Sequence, residues 1–269
     1  MIIMQRKPLF NRCALIGLGM MGGSLAYALR ESGVVNELTG CDASEEALEL
    51  AMRSEVFTNL TSDAVEAVKD ADLVIIAAPV HRVVAIMEAI GQSVDSDALV
   101  TDIGSVKKEI VLAGSRIFGD RFVGGHPMCG SPQSGFTGAQ RHLYKESPWL
   151  VVAESVPDRT SPYVEKLCCL IERLGSRCIL LDTDRHDRLV ALVSHLPHII
   201  SFSYSDLLQG DGDAEMARSL AGGSYKDLMR VAAADRELWD GIFKQNREQL
   251  LLALDAFEER LEALRDLLK

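Results

Sequence analysis

Apolar positions along the chain follow two rhythms, and the change comes near residue 181. In the first part, short unbroken apolar runs alternate with segments of three- and four-residue spacing. RCALIG (12–17) reads as a buried strand running into a glycine turn, and SLAYALRESG (24–33) as a helix closed by Gly33. ELTGCD is a second strand ending at Asp42. SEEALELAMR is a helix with Ser44 as N-cap and acids in its first turn. DLVIIAAP has the continuous apolarity of a parallel strand buried on both faces. HRVVAIMEAI is helical, DALVTDIGS is strand then loop, and RFVGG, PWLVVA and SRCILL are later strands. The helix SPYVEKLCCLIERLG, closed by Gly175, lies between the last two. Such alternation predicts an α/β unit with a mostly parallel sheet wrapped by helices.

Beyond residue 182 strand patterns stop. DTDRHDRLVALVSHLPHIISFSYSDLLQG reads as a long helical run with one proline, and the tail from RELWDGIF to the last residue is helical with an apolar stripe. Part of that stripe has the character of a partner-seeking surface as much as of a core. The chain therefore divides into an α/β domain over residues 1–181 and an all-helical domain over 182–269.

Composition narrows the functional classes. Of the 269 residues, 48% are hydrophobic and 25% charged, an ordinary soluble balance, and the net charge of −11 argues against nucleic acid or an anionic membrane as partner. A locally positive pocket for a small anion stays compatible with it. The six cysteines form no CxxC pair, so neither a disulfide framework nor a metal site is expected. Reduced thiols in a cytoplasmic protein are the simplest account. The N-terminal MIIMQRKPLF lacks the apolar run of a signal peptide, and LVIIAAPV is far too short to span a membrane.

The first strand runs into Gly17-Leu18-Gly19-Met20-Met21-Gly22, a G-x-G-x-x-G opening a helix. Gly17 allows the tight turn, Gly19 lets backbone approach a pyrophosphate, and Gly22 lets helix and strand pack closely. The exposed N–H groups and the helix dipole favour phosphate charge. Asp42 stands 20 residues past Gly22, where a carboxylate accepts from ribose hydroxyls and repels a 2′-phosphate. NAD rather than NADP is expected. A purely structural glycine turn is the competing account, and strand, turn, helix and acid in register speak against it.

Further along, GGHPMCGSPQSG presses a histidine and a proline between glycines. His126 is a candidate general base, a lone histidine in such a turn being otherwise a capping or surface residue. With TDIGSVKKEI, GGHPMCGSPQSGF, SHLPHIISF and GGSYKDLMRVAAADRELWDGIF all in order behind the dinucleotide turn, the chain resembles the prephenate/arogenate dehydrogenase (TyrA) family from Cys13 to about Arg260. It is similar to the short form, without a fused chorismate mutase or a regulatory domain. The resemblance implies a Rossmann domain, a helical domain for substrate binding and homodimer formation, NAD as cofactor, and a role in tyrosine biosynthesis. It implies oxidation of a cyclohexadienol in which hydride leaves C4, CO2 leaves C1 and the ring aromatises. Prephenate then yields 4-hydroxyphenylpyruvate, and arogenate yields tyrosine.

Residue by residue, His126 matches the family's catalytic histidine and is expected to take the C4 hydroxyl proton, the neighbouring glycines permitting close approach of substrate and nicotinamide. Ser105 matches the serine beside it, with a helix N-cap ahead of VKKEI as the competing use. Lys107 and Lys108 read as a solvated helix face. Arg230 matches the substrate-binding arginine, whose fork suits a carboxylate. Asp227, three residues earlier, is placed to hold the guanidinium, and an ordinary surface ion pair is the alternative. His198 and Ser194 match substrate-pocket positions, His198 as a donor to a keto group or carboxylate. His195 reads as structural. Trp239 resembles the pocket tryptophan, or is a core aromatic. Where many members carry an acid after the HPxAG glycine, this chain has Pro132 and Gln133, which leaves prephenate against arogenate open, with prephenate favoured.

Two other readings are weaker. β-Hydroxyacid dehydrogenases use a lysine where this chain has VSHLPHII. An NAD-sensing regulatory module has no need of His126 and Arg230.

Overall fold

The computed structural model describes residues 7–131 and 133–269. Two compact units divide between His186 and Asp187.

The first unit opens as the apolar runs predict. Strand β1 (Phe10–Ile16) leads into α1 (Met20–Ser32), β2 (Val35–Cys41) and α2 (Glu45–Arg53). Gly33 ends α1 in the left-handed conformation at φ +62°, and the Ser44 hydroxyl caps α2 by accepting from the Ala47 N–H. A short strand β3 (Asn59–Thr61) and a one-turn helix α3 (Ala64–Ala67) follow. Neither shows in the sequence pattern, because three or four residues are too few to establish a period. Then come β4 (Leu73–Ile76), α4 (Val80–Ile90), β5 (Leu99–Asp102) and α5 (Lys108–Phe118).

All five strands are parallel, in the order β3-β2-β1-β4-β5. Every residue of β4 and β5 is buried; β4 accordingly reads as an unbroken apolar run, whereas β5 ends in the buried polar pair Thr101 and Asp102. The strand order reverses between β1 and β4, so the turn after β1 stands at the switch point where such sheets bind ligands.

A second sheet follows, formed by β6 (Gly124–Pro127), β7 (Pro148–Ala153) and β8 (Arg177–Asp182), with α6 (Pro162–Arg173) between the last two. β7 runs antiparallel to β6 and parallel to β8. A parallel bridge from Val100 to Phe122 links the first sheet to the approach of β6.

The helix α7 (Thr183–Val190) carries the chain into the second unit, which is helical throughout its described residues: α8 (Leu196–Gln209), α9 (Ala214–Ser219), α10 (Gly223–Ala232), α11 (Arg236–Gln245) and α12 (Arg247–Leu267). The long helical run expected here is interrupted. Ala191–His195 forms a π-helical turn in which the Leu196 N–H reaches the Ala191 carbonyl. Pro197 gives the physical reason: it has no N–H to donate, and its ring crowds the carbonyl four residues back in a regular helix. The tail is also broken, at Asn246. Its buried side-chain amide donates to the Asp187 carbonyl at 2.9 Å and meets His195 Nδ1 at 3.0 Å, pinning the last helices to the π turn.

Candidate active site

The glycine turn has the shape its spacing requires. Gly17 holds φ +100°, and a Cβ there would lie 2.5 Å from the Ala77 carbonyl oxygen. A Cβ on Gly22 would lie 1.9 Å from the Gly17 oxygen. At Gly19 a Cβ would meet nothing within 4 Å, so open space lies over the backbone where α1 begins. A phosphate fits this cradle, facing the free N–H groups of the first helical turn.

Asp42, half-buried at the end of β2, accepts from the Leu18 N–H at 2.7 Å with one oxygen and from the Ser44 N–H at 2.9 Å with the other. Both bonds fix the carboxylate beside the turn. The segment after the HP motif docks on the same helix. The Met21 carbonyl accepts from the Tyr144 hydroxyl at 2.7 Å, and the Met20 carbonyl from Ser24, whose oxygen in turn accepts from the Gln140 N–H at 2.8 Å.

His126 lies on β6, buried, opposite Leu150 of β7. Its Nδ1 is 2.9 Å from Nε2 of His186 on α7, a side chain with no exposed surface. The sequence reading missed His186, which sits 60 residues away in the polar run DTDRHDR and looks there like part of a solvated face. Ser105 is half-buried in the loop between β5 and α5. It does not cap α5, which starts at Lys108 with no side-chain cap bond.

Lys107 is not a solvated residue. It is fully buried, and its ammonium donates to an Asp102 oxygen at 2.6 Å and to the Gly104 carbonyl at 2.6 Å. The same carboxylate oxygen accepts from the Gly104 N–H at 2.7 Å, and the other from the Gly125 N–H at 3.3 Å. This buried pair ties the Ser105 loop to the strand that carries His126.

It also explains the double glycine of GGHP. A Cβ on Gly125 would lie 2.5 Å from the Asp102 carbonyl oxygen and 2.9 Å from the Trp149 indole nitrogen, and one on Gly124 would press on the Val152 oxygen and the Lys107 stem. These glycines make room for protein atoms, contrary to the expectation that they clear space for ligands. Burial pushes the thiol of Cys129, in the following loop, up to about 11, so it is protonated near neutral pH. Gln133 is exposed, and the expectation concerning Pro132 falls outside the described residues.

In the second unit, His198 and Trp239 stack face to face at 3.5 Å between ring centroids and 20° between planes. Both are half-buried, so Trp239 is no deep core residue. His198 Nδ1 lies 2.9 Å from the Ser194 carbonyl. A carbonyl only accepts, so Nδ1 carries the proton and Nε2 presents a lone pair in the neutral ring. Burial pulls this imidazole below its ordinary 6.5, against the Ser194 carbonyl, which favours the charged form. Neutral His198 is therefore an acceptor at Nε2, not the donor expected from the sequence.

His195 is fully buried and edge-on to Trp239. Arg230 and Asp227 are both exposed on α10. Their spacing suits an ion pair, but none joins them, and among the described residues Arg230 makes no ion pair. Asp227 does not hold the guanidinium.

Comparison with known proteins also finds two parts along the chain. Residues 25–180 match the family "Prephenate dehydrogenase, nucleotide-binding domain", and residues 182–269 match "Prephenate dehydrogenase, dimerization domain". A prephenate dehydrogenase from Lactococcus lactis is 30% identical over 94% of this chain and 70% of its own length. A cyclohexadienyl dehydrogenase from Zymomonas mobilis is 29% identical over 95% of this chain and 88% of its own. The crystal structure of prephenate dehydrogenase from A. aeolicus, in complex with hydroxyphenyl propionate and NAD+, superposes with a TM-score of 0.88 at 29% identity, covering 96% of this chain and 90% of that one. With both parts of its length matched and a glycine turn and buried histidine in place, this chain belongs to the prephenate dehydrogenase family.

Proposed function

We propose that this chain catalyses the NAD-dependent oxidative decarboxylation of prephenate to 4-hydroxyphenylpyruvate. The observation that carries the reading is the buried His126–His186 pair in a domain whose first turn is built to receive a dinucleotide. NAD, when bound, supplies the hydride acceptor. Gly17, Leu18, Gly19, Met20, Met21 and Gly22 form the phosphate turn, and Asp42 is assigned to the ribose hydroxyls.

The chemistry asks His126 to accept a proton from the C4 hydroxyl while hydride leaves that carbon. For Nε2 to be the accepting atom, Nδ1 must carry the resting proton and donate it to His186 Nε2. His186 then steadies the positive charge that His126 gains. Loss of CO2 from C1 makes the ring aromatic and draws the reaction forward. Ser105, on the loop tied down by Lys107 and Asp102, is assigned to the catalytic group with His126. Arg230, exposed and without an ion pair, has its fork open for a substrate carboxylate. Ser194, His198 and Trp239 are assigned to substrate binding. Asp227 retains only a charge contribution near Arg230. The match to the dimerization domain supports a homodimer formed through the helical part.

Arogenate is the second reading, and one observation favours it: the lone pair at His198 Nε2 suits an ammonium better than a keto oxygen. Side-by-side kinetics with prephenate and arogenate, each with NAD and NADP, test all of this. The expected result is higher kcat/KM with NAD than with NADP, and with prephenate than with arogenate. No turnover of either substrate would overturn the assignment, and a clear preference for arogenate would give the second reading its place.

A further inference from the structure

The turn at Gly175, at φ +82°, folds β8 back along α6. It brings the Cys168 and Cys178 sulfurs to 3.0 Å, closer than the roughly 3.5–4 Å of an ordinary carbon–carbon van der Waals contact. The two thiols are unequal. Cys168, on α6, has no exposed surface, whereas Cys178 is half-buried on β8, an edge strand of its sheet. The Arg159 guanidinium lies beside both sulfurs and is itself paired with Glu172 and Glu165.

The hydrogen-bonded contact with Cys168 and the nearby Arg159 draw the Cys178 thiol below its ordinary value, against burial and Glu172. The Cys168 proton is held on chiefly by its contact with Cys178 and by burial. The neighbouring Cys169 faces Glu165 instead, at 3.3 Å, and its thiol is raised by burial and by that carboxylate.

We propose that Cys178 and Cys168 form a thiol–disulfide exchange site for small-molecule disulfides, Cys178 attacking and Cys168 resolving. In the first step the Cys178 thiolate attacks one sulfur of the disulfide RSSR. The Cys178–S–SR bond forms, the S–S bond of RSSR breaks, and RS⁻ leaves. In the second step Cys168 attacks the Cys178 sulfur as its proton passes to the departing RS⁻, forming the Cys168–Cys178 disulfide and releasing a second RSH. The protein gives up two electrons and two protons, and RSSR becomes two thiols. The more exposed, more acidic thiol is the one reached first, and its buried partner is already at hand.

The test uses the whole chain and oxidised glutathione as probe, followed by acid quench, alkylation and peptide mapping. The parent protein should lose two of its six thiols, link the peptides of Cys168 and Cys178, and recover both on reduction. Cys168→Ser should accumulate a glutathione adduct on Cys178. Cys178→Ser should lose the reaction at this site and carry no adduct at Cys168. Retention of all six thiols in the parent, linkage of any other pair, or trapping on Cys168 rather than Cys178 would overturn the proposal. The parent measurement needs no substitution, so it stands even if a variant folds poorly.

Discussion

At the residue scale, the 2.9 Å contact between His126 Nδ1 and His186 Nε2 makes their roles separable by kinetics. His126→Asn should lower kcat by roughly two to four orders of magnitude with little change in KM, the range for loss of a general base. His186→Asn keeps a polar partner for Nδ1, so the fall should be smaller and should come with a displaced acidic limb of the pH–rate profile. Equal losses and an unmoved limb would mean that His186 only fills space. His198 offers a test of sign. Its pKa lies below 6.5, so it is neutral near pH 7 and gains a second N–H as pH falls through the lowered value. If its lone pair receives the arogenate ammonium, kcat/KM for arogenate should fall over that acid range while prephenate is held or improved. Parallel profiles for the two substrates would remove His198 from discrimination. These side chains also mark what the sequence hides. His126 stood out as a candidate through its glycine and proline setting, and its expected role came from the family resemblance. His186 was not, because the polar residues around it match any solvated helix. Lys107 was misread because a lysine beside a second lysine looks exposed, and only the buried Asp102 carboxylate five residues earlier reverses that. The spacing of Asp227 and Arg230 was right for a pair, but proximity along a helix does not oblige two solvated side chains to meet.

Elements of uniform rhythm were legible almost throughout, since strands buried on both faces and amphipathic helices write their burial into the order of residues. What escaped were features set by single atoms: the three-residue β3, the π turn ahead of Pro197, and the break at Asn246. The glycine turn distinguishes space kept for the fold from space kept for a ligand. A methyl group at position 22 collides with the Gly17 carbonyl, whereas one at position 19 meets no protein atom. Gly22→Ala should therefore lower the melting temperature and weaken NAD binding together. Gly19→Ala should melt within a degree or two of the parent, as surface changes do, yet bind NAD at least about tenfold more weakly through lost contact with the pyrophosphate. Thermal melts beside calorimetric titration with NAD would decide it, and unaltered affinity in Gly19→Ala would place the phosphate elsewhere.

For the whole molecule, no helix among the described residues is long and apolar enough to cross a membrane. The second unit nevertheless exposes Leu251, Leu252, Leu261, Leu264 and Leu267 along α12, with Leu238 on α11. Exposed leucines of that kind, in a segment matching a dimerization domain, call for a second copy. Light scattering at micromolar concentration should give about twice the chain mass. Leu261→Glu with Leu264→Glu should shift the population towards monomer, and an active parent that scatters as a monomer would refute the dimer. The division into an α/β part and a helical part was visible in the sequence as a change of period, but the faces that α12 leaves uncovered could be known only once its own unit had been folded.

Asp42 accepts from the Leu18 and Ser44 N–H groups with its two oxygens. The residue assigned to choosing the cofactor is thus also a strut of the cradle that receives it. Redesign for a 2′-phosphorylated nucleotide is consequently not a one-residue exchange. Asp42→Ser removes the repelling charge but shortens the reach to Leu18, so it weakens affinity for both dinucleotides before it reverses the preference. A working conversion has to supply a cation for the extra phosphate and, separately, a new acceptor for the Leu18 N–H.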